Sequence, residues 1–398
     1  SRSKGATAAL VNRVTSTTLP QIIVDDTLAA MGKLSANWRH TFTIPLVGVT
    51  GSNGKTTLKN MIASILRAAC QNNADQVLAT EGNLNNEIGV PLTLFRLHHQ
   101  HRYGVIEMGM NHFNEIAYLT KLTQPAVAVI TNAAESHLEG VKNTAGVAQA
   151  KGEIFQGLQP NGTAILNADD EFFNYWRKLI PNHTCLSFGL HHPADVSAII
   201  KQQNITLKTP LGEIDVILPL LGNHNVMNAL AASAVAIALH LDLEIIKQGL
   251  ENMQPAPGRM RQYRHATGAR IIDDTYNANP FSLQAAVDTL TELQGTKIVV
   301  LGDMKELGEH AKSLHYIAGE KMHAAQIDYL FTLGDLSSET SRAFGHNAKH
   351  FTDKKTLIEA LLPYIKENTN ILVKGSRSMS MEKIIADLIP EDQIEPTH

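Results

Sequence analysis

The chain of 398 residues is poor in cysteine, in charge and in long apolar runs. Its two cysteines cannot build a disulfide framework or a multi-cysteine zinc site. Charged residues make up 18%, and 34 Lys and Arg against 38 Asp and Glu give a net charge of −4, which argues against a general nucleic-acid binder. The longest nearly continuous apolar run, 229–241, is too short to span a bilayer. The N-terminal residues do not form a signal-peptide pattern, so we expect a cytoplasmic protein.

The length and the apolar content predict a folded protein of more than one domain. Apolar residues make up 43%, which excludes a disordered chain, and at about 150 residues per domain the length suggests two or three domains. Residues 1–43 carry too little apolar sequence for a core of their own. Gln254–Gly258 is a strong linker pattern. We therefore expect the end of an incomplete N-terminal domain over 1–43, a central domain over 44–256 and a C-terminal domain over 257–398.

Apolar runs separated by helical patterns predict an α/β fold with mostly parallel sheets, because strands covered on both faces by helices read as continuous apolar runs. We expect a central domain of P-loop ATPase type, a C-terminal Rossmann-like domain and a small antiparallel unit over 195–218. The predicted strands are Ile44–Thr50, Tyr103–Met108, Ala126–Thr131, Thr163–Asn167 and Thr184–Phe188, then Ala269–Asp273, Lys297–Leu301, Tyr329–Leu333 and Ile371–Lys374.

A glycine-rich turn between a predicted strand and a predicted helix is the strongest chemical signal. Glycines let the backbone approach phosphates closely, and the N–H groups at a helix start point at the anion. Lys55 would reach the terminal phosphates and the Thr56 hydroxyl would bind Mg²⁺. The turn departs from the strict phosphate-loop pattern, since Val49 stands at the first glycine position. The residues predicted to contact ATP phosphates are Gly51, Ser52, Asn53, Gly54, Lys55, Thr56 and Thr57.

Three further residues are candidates for this site, each with a plainer alternative. Glu107 lies near the carboxyl end of a predicted strand, where ligands bind in open α/β sheets, but it could be a solvated strand-end carboxylate. His137 could be a metal ligand or one of many ordinary histidines in a chain that has 18. Lys151 lies in a predicted helix, where composition alone favours a surface lysine.

Several stretches together resemble one enzyme family. Thr50–Thr57 resembles the ATP loop of the Mur ligases, which build the peptidoglycan precursor, and Glu81–Thr93 is similar to the branch that adds D-alanyl-D-alanine. The remaining matches, in the family's order, are Glu107–His112, Ser136–Glu139, Ala150–Phe155, Leu221–Asn228, Pro257–Arg261, Asp273–Pro280, Leu301–Gly308 and Lys374–Ser378.

The resemblance implies an ATP-dependent ligase that forms a carbon–nitrogen bond between UDP-N-acetylmuramoyl-tripeptide and D-alanyl-D-alanine. A substrate carboxylate attacks the γ-phosphate of ATP, and the dipeptide amine then attacks the acyl phosphate. In the family the N-terminal domain carries the uridine-diphosphate site. The resemblance further implies that Thr56 and Glu107 hold one Mg²⁺ and that His137 helps to hold a second. Lys151 matches a lysine that CO₂ converts to a carbamate, an anionic oxygen ligand suited to a hard cation.

The same resemblance implies roles for other polar residues, and closure at the linker would carry some of them to the nucleotide. Arg259 matches a residue near the γ-phosphate. The adenine-side residues are Asn225 and Asn228, and Asp274 matches a carboxylate that takes the ribose hydroxyls. Muramoyl-peptide contacts are expected from Asn83, Asn85, Asn86 and Glu87. We assign the D-alanyl-D-alanine side to Asn277, Asn279, Ser376 and Arg377.

Two alternatives stay open at this point. The chain could be another ligase of the superfamily, such as a folylpolyglutamate synthase or the ligase that adds the third amino acid, although Asn83–Glu87 and Leu301–Gly308 argue against this. It could also be a nucleotide-binding regulatory module that hydrolyses ATP without ligating anything. We expect a monomer that binds no nucleic acid.

Overall fold

The structure, a computed structural model, describes residues 5–134, 138–201 and 204–389, without the side chains of 138 and 139. The strands are β1 Ala9–Val11, β2 Gln21–Ile23, β3 Leu46–Thr50, β4 Val77–Ala79, β5 Tyr103–Glu107, β6 Val127–Ile130, β7 Thr163–Asn167, β8 Thr184–Phe188, β9 Ser197–Lys201, β10 Asn204–Thr209, β11 Gly212–Ile217, β12 Arg261–Arg264, β13 Arg270–Asp274, β14 Thr296–Gly302, β15 Tyr329–Leu333, β16 Ala348–Phe351 and β17 Thr369–Lys374. The helices are α1 Thr27–His40, α2 Lys55–Ala69, α3 Gly89–Phe95, α4 Glu115–Thr123, α5 Leu138–Val141, α6 Thr144–Gly152, α7 Phe173–Leu179, α8 Asn223–Ala238, α9 Leu243–Glu251, α10 Pro280–Thr291, α11 Ala311–Ala324, α12 Ser337–Phe344, α13 Lys354–Leu361 and α14 Glu382–Leu388.

The central sheet has six parallel strands in the order β4-β5-β3-β6-β7-β8. Successive side chains of a strand point to opposite faces, and β3 follows this rule. Val47 and Val49 pack into the core under α2, α8 and α9, whereas Leu46 packs into the core that α3, α4 and α6 cover. Both faces are therefore dry, which accounts for the continuous apolar runs of these strands.

The C-terminal sheet has the order β12-β13-β17-β14-β15-β16. Its strands are parallel except for β12, which is antiparallel to β13 at one edge. Apolar cores cover both of its faces, one with α10 and α11 and the other with α13 and α14. The carboxyl ends of β13 and β17 lie side by side, with Asp274 in register with Lys374.

The predicted α/β architecture is confirmed, including the antiparallel unit, which consists of β9, β10 and β11. The first strand of the central sheet begins at Leu46 rather than Ile44, since Pro45 has no N–H group to donate to a ladder. The short strands β1, β4, β12 and β16 were not predicted, because three or four residues carry too little periodicity. Gln254–Gly258 has no regular structure and joins the two sheets. Among the described residues, no helix has the length and apolarity needed to cross a membrane.

Candidate active site

The phosphate loop connects the end of β3 to the start of α2 and requires glycine at Gly54. Gly54 has a φ of +81°, a region that residues with a Cβ rarely adopt. A Cβ at this position would stand 2.6 Å from the side-chain oxygen of Asn228 on α8. The loop therefore lies directly against α8, and the predicted nucleotide residue Asn228 touches the phosphate loop.

The segment that follows β6 holds the loop in place. The Thr131 hydroxyl donates to the Asn53 carbonyl oxygen at 2.6 Å, and the Asn132 side-chain oxygen accepts from the Asn53 N–H at 3.1 Å. The Ser52 N–H donates to the Asn132 carbonyl at 3.0 Å. These contacts fix the backbone of the loop without a ligand, so its shape is prepared in advance.

The Lys55 side chain folds back onto the phosphate loop. Its ammonium donates to the carbonyl oxygens of Gly51 at 2.7 Å and Ser52 at 3.1 Å. Desolvation lowers the pKa of Lys55 below 10.5; attraction from Glu107 opposes this effect and repulsion from Arg259 adds to it. The site therefore already contains a compact set of charges around the loop.

Glu107 is the last residue of β5, and only 2% of its surface is exposed. Its Oε1 accepts from the Asn85 amide at 2.9 Å, while its Oε2 is buried without a hydrogen-bond partner. The alternative of a solvated strand-end carboxylate is therefore wrong. A buried carboxylate oxygen without a donor is costly unless a cation or a donor of a ligand satisfies it. The Thr56 hydroxyl and this oxygen are both ligands of the hard kind that Mg²⁺ takes.

Two further lysines lie buried near the site. Lys151 on α6 is 1% exposed, so the alternative of a surface lysine is wrong. Desolvation, followed by repulsion from Lys55, holds its pKa well below 10.5. Lys59 on α2 is 4% exposed and donates to the Thr80 carbonyl at 2.7 Å. The sequence analysis missed Lys59, although its position one helical turn after Lys55 puts both on one face of α2.

Two residues of the C-terminal part reach the phosphate loop. Arg259, which follows the linker, brings its Nη2 to 3.4 Å from the Thr56 hydroxyl oxygen. Asn279 donates from its amide to the Asn53 side-chain oxygen at 3.0 Å. Asn279 also caps α10, because its side-chain oxygen accepts from the Ser282 N–H at 2.8 Å. The loop thus lies between the two sheets.

The other predicted nucleotide residues lie around the start of α8 and the end of β13. The Asn225 amide donates to the Leu221 carbonyl at 2.7 Å, inside its own helix start. Asp274 forms an ion pair with the buried Lys374, which also donates to a carbonyl. His224 was not predicted. Burial lowers its pKa, while the charge of Asp274 raises the pKa and that of Lys374 lowers it further.

The predicted muramoyl-peptide residues divide into two groups. Asn86 and Glu87 line a cleft of ≈ 340 Å³ together with residues at the start of α4. The Asn86 side-chain oxygen also accepts from the Gly89 N–H at 2.9 Å and so holds the turn before α3. Asn83 is exposed, whereas Asn85 is turned inward to Glu107.

The predicted dipeptide residues lie at the carboxyl ends of β13 and β17. Ser376 is buried; its hydroxyl accepts from the Lys305 N–H at 2.7 Å. Arg377 lies at the surface, 3.4 Å from Glu382. Asn277 is exposed, and its side chain accepts from the N–H of Ala278. Asn277 also accepts from the buried Lys374 through its carbonyl oxygen, at 3.0 Å.

The predicted metal ligand His137 lies outside the described residues. Within the described ranges there is no group of three or more His, Cys, Asp or Glu side chains that could hold a metal ion. The described candidates are instead the Thr56 hydroxyl, Glu107 and Lys151. Lys151 would become an oxygen ligand only as a carbamate.

Comparisons with known proteins agree with this geometry. The family model of the Mur ligase middle domain matches residues 49–236, and that of the Mur ligase glutamate ligase domain matches 258–377. A Haemophilus influenzae protein named UDP-N-acetylmuramoyl-tripeptide–D-alanyl-D-alanine ligase is 43% identical over 97% of this chain and 86% of its own length. An Escherichia coli protein of the same name is 44% identical over the same shares.

Solved structures agree as well. The crystal structure I of MurF from Acinetobacter baumannii has a TM-score of 0.90 and 37% identity, covering 97% of this chain and 86% of that one. MurF ligase from Thermotoga maritima in complex with ADP has a TM-score of 0.82 and 25% identity, covering 96% and 88%. From the family models, the relatives and these structures together, the chain belongs to the Mur ligase family.

Proposed function

We propose that this chain joins D-alanyl-D-alanine to UDP-N-acetylmuramoyl-tripeptide, with the cleavage of ATP to ADP and phosphate. The observation that carries the proposal is the buried, partly unsatisfied carboxylate of Glu107 beside a phosphate loop that Arg259 reaches from the other sheet. The names of the relatives supply the substrates.

The reaction has two steps. A carboxylate oxygen of the tripeptide attacks the γ-phosphorus, and the bond to the β-phosphate oxygen breaks, so ADP leaves. The dipeptide nitrogen then attacks the acyl carbon; phosphate leaves and the nitrogen gives up a proton. Phosphoryl transfer depends on positioning and on neutralising charge. Lys55 and Arg259 supply positive charge from opposite sides of the loop, and the contact between the sheets excludes water from the acyl phosphate.

Mg²⁺ is the cation that fits the acidic side of the site. When bound, it neutralises phosphate oxygens and orients them. We assign one ion to Thr56 and Glu107, which offer a hydroxyl and a buried carboxylate oxygen. A second ion is assigned to His137 and the carbamate of Lys151. Replacing Glu107 by Gln should weaken Mn²⁺ binding to the nucleotide-free protein, measured by electron paramagnetic resonance.

The carbamate on Lys151 is supported by burial. A lysine with a pKa well below its ordinary value is more often a neutral amine. The lone pair of that nitrogen attacks the carbon of CO₂, and the nitrogen then loses a proton to give the carbamate. Protein incubated with ¹³C-bicarbonate should give a carbamate resonance that Lys151→Arg lacks. A resonance of equal intensity in the variant would contradict the assignment.

The remaining roles follow the family pattern. We assign Asn225 and Asn228 to the adenine side and Asp274 to the ribose hydroxyls. The cleft beside Asn86 and Glu87 supports a muramoyl-peptide site there, with Asn83 and Asn85 adjoining it. The dipeptide is assigned to Asn277, Asn279, Ser376 and Arg377.

We also propose the domain limits 1–43, 44–256 and 257–398, a monomer, and a cytoplasmic location. Both sides of the loop come from one chain, which supports a site complete in a monomer. Light scattering measures the mass in solution. A cytoplasmic location fits a reaction that consumes ATP, and fractionation of the source cells tests it.

Phosphate release tests the function directly. The rate should depend on the presence of both D-alanyl-D-alanine and UDP-N-acetylmuramoyl-tripeptide, and mass spectrometry should find the joined pentapeptide product. Equal phosphate release without the dipeptide would favour the regulatory module instead. Product formed with a glutamate in place of the dipeptide would favour a folylpolyglutamate-type ligase.

A further inference from the structure

Tyr276 lies in the turn after β13 and contacts the arginine that reaches the phosphate loop. The Cζ of Arg259 lies 3.9 Å from the centroid of the Tyr276 ring, within stacking distance. The Tyr276 N–H donates to the Gly258 carbonyl at 3.1 Å. Tyr276 therefore restrains Arg259 in two ways: its ring stacks on the guanidinium, and its N–H binds the backbone of Gly258, the residue before Arg259.

The rest of the turn is anchored just as firmly. Gly258 has a φ of +73°, and its N–H donates to the buried carboxylate of Asp273 at 2.9 Å. The Asp273 carboxylate also accepts from the Thr275 hydroxyl at 2.6 Å. The backbone around Arg259 is thus fixed, and the side chain is the part that still has freedom to lose.

The Arg259 guanidinium reaches the phosphate loop but has unused hydrogen-bonding capacity. Its Nη2 is 3.4 Å from the Thr56 hydroxyl, a long contact, and its Nε is buried without a hydrogen-bond partner. Arg377 lies near the same ring, with its Cζ 5.9 Å from the centroid. Arg377 is paired with Glu382 at 3.4 Å, so the guanidinium that keeps a buried N–H without a partner is that of Arg259.

Other arginine–tyrosine pairs in the described part of the chain lack these features. Arg342 lies 5.2 Å from the Tyr316 ring and Arg261 lies 5.1 Å from the Tyr263 ring. Arg342 is engaged by Glu339 at 2.5 Å on the surface of α12. The Arg259 pair is shorter, and its guanidinium points across to the other sheet.

We infer that Tyr276 is a positioning residue of the ligase reaction: its ring holds the Arg259 guanidinium in the orientation that meets the transferring phosphoryl group. The inference rests on the proposed function. An arginine has a large side-chain entropy to lose on binding, and a stacked ring removes part of that loss before the nucleotide arrives. The effect should fall on kcat more than on the KM of the dipeptide.

Three variants test the inference. Tyr276→Leu should lower kcat about tenfold, as expected for losing a desolvated cation–π contact, with the KM of the dipeptide within about twofold of wild type. Tyr276→Phe keeps the ring and should retain at least half of the rate. Tyr316→Leu removes a comparable pair on the surface and is the matched control. Thermal unfolding of each variant separates a folding defect from a loss of positioning.

A double-mutant cycle supplies the readout that a merely structural role would not move. If Tyr276 acts through Arg259, Tyr276→Leu should have no further effect on kcat in the Arg259→Ala background. Additive losses in the cycle, or a Tyr276→Leu rate within twofold of wild type, would overturn the inference.

The failure of the inference and that of the proposed function are distinguishable. If the wild-type protein makes no pentapeptide, the proposed function fails. The double-mutant cycle of Tyr276 and Arg259 is then repeated with the affinity for a non-hydrolysable ATP analogue as the measured quantity. Coupling in that affinity would uphold the positioning role, and its absence would overturn it.

Discussion

The two large sheets bury charge in different ways. Around the central sheet, Glu107 has a buried oxygen without a partner, and Lys151 is 1% exposed with a strongly lowered pKa. Around the C-terminal sheet, the buried carboxylate of Asp303 is paired within the protein. Asp303 is 1% exposed, and its carboxylate accepts from Lys305 at 2.8 Å and from the Ser337 N–H at 2.8 Å. The Asp303 carboxylate therefore stabilises the fold, whereas the unpaired oxygen of Glu107 is available to a cation or a donor of a ligand.

This difference indicates where chemistry occurs. A buried charge without a partner costs folding free energy, and it persists where a substrate or cation satisfies it. The C-terminal sheet supplies oriented groups, Arg259 and Asn279, across the boundary. The predictions below test the contrast by removing charge from one side or the other.

Lys55→Ala should have the largest effect on activity. Removing the cation over the phosphate loop should lower kcat on the order of 10²–10³-fold, the scale seen when one preorganised transition-state donor is lost. Dipeptide-dependent phosphate release measures it. Lys121→Ala, an exposed lysine on α4, is the control and should keep the wild-type rate. A Lys55→Ala rate within tenfold of wild type would contradict the role of the Lys55 cation in phosphoryl transfer.

Glu107→Gln should separate activity from stability. We expect the rate to fall by about 10–100-fold or more, because a charged ligand of the cation is lost. The melting temperature should be unchanged or higher, because an unsatisfied buried charge is removed without a change in shape. Calorimetry and phosphate release are compared on the same preparation. A melting temperature that falls by many degrees would mean that Glu107 is a structural anchor.

Asp303→Ala should show the opposite behaviour. The change strands the Ser337 N–H and removes the partner of Lys305, so we expect a loss of about 2–3 kcal/mol in the free energy of unfolding. Urea unfolding measures the loss, and Asp335→Ala, an exposed neighbour, is the control. Wild-type stability in Asp303→Ala would show that the C-terminal charges are not what holds this part together.

His101 should give the central part a pH dependence of stability. Burial, with repulsion from His98 and Arg96, lowers the pKa of His101 to about 4 from 6.5. Its Nδ1 accepts from the His98 N–H at 3.1 Å, which requires an unprotonated nitrogen. The unfolded chain therefore binds the extra proton between pH 6.5 and 4, so stability is complete above pH 6.5 and is lost as the pH falls toward 4.

His101→Phe should flatten the dependence of the free energy of unfolding on pH in that window, measured by urea titration at several pH values. His99→Gln, an exposed neighbour, should leave the slope as it is. An unchanged slope in His101→Phe would assign the acid sensitivity of the central part to other groups.

Much of the fold follows from local patterns in the sequence. Long apolar strands such as β7 and β15 were predicted to the residue, because burial on both faces leaves a continuous apolar run. The short edge strand β12 was not, because four residues with three polar side chains carry no periodicity. Strand β12 depends on its partner β13 for its existence.

The candidate site divides in the same way. The phosphate loop is visible in the sequence because glycines and a lysine must stand between a strand and a helix for the backbone to meet a phosphate. Tyr276 and Lys59 are not visible, because each matters through a neighbour distant in sequence, Arg259 or Thr80. A tyrosine in a turn and a lysine in a helix are otherwise ordinary.

The sequence by itself determined the class of fold, the phosphate loop and the resemblance to the Mur ligases. The tertiary structure alone decided which charged groups are buried and which hydrogen-bond or ion-pair partners they have. Glu107 and Asp303 are both acidic residues at the carboxyl end of a strand, so the sequence does not distinguish them. Only packing leaves Glu107 with an unsatisfied oxygen and brings the Ser337 N–H to Asp303, because desolvation and hydrogen bonding depend on groups that can be distant in sequence.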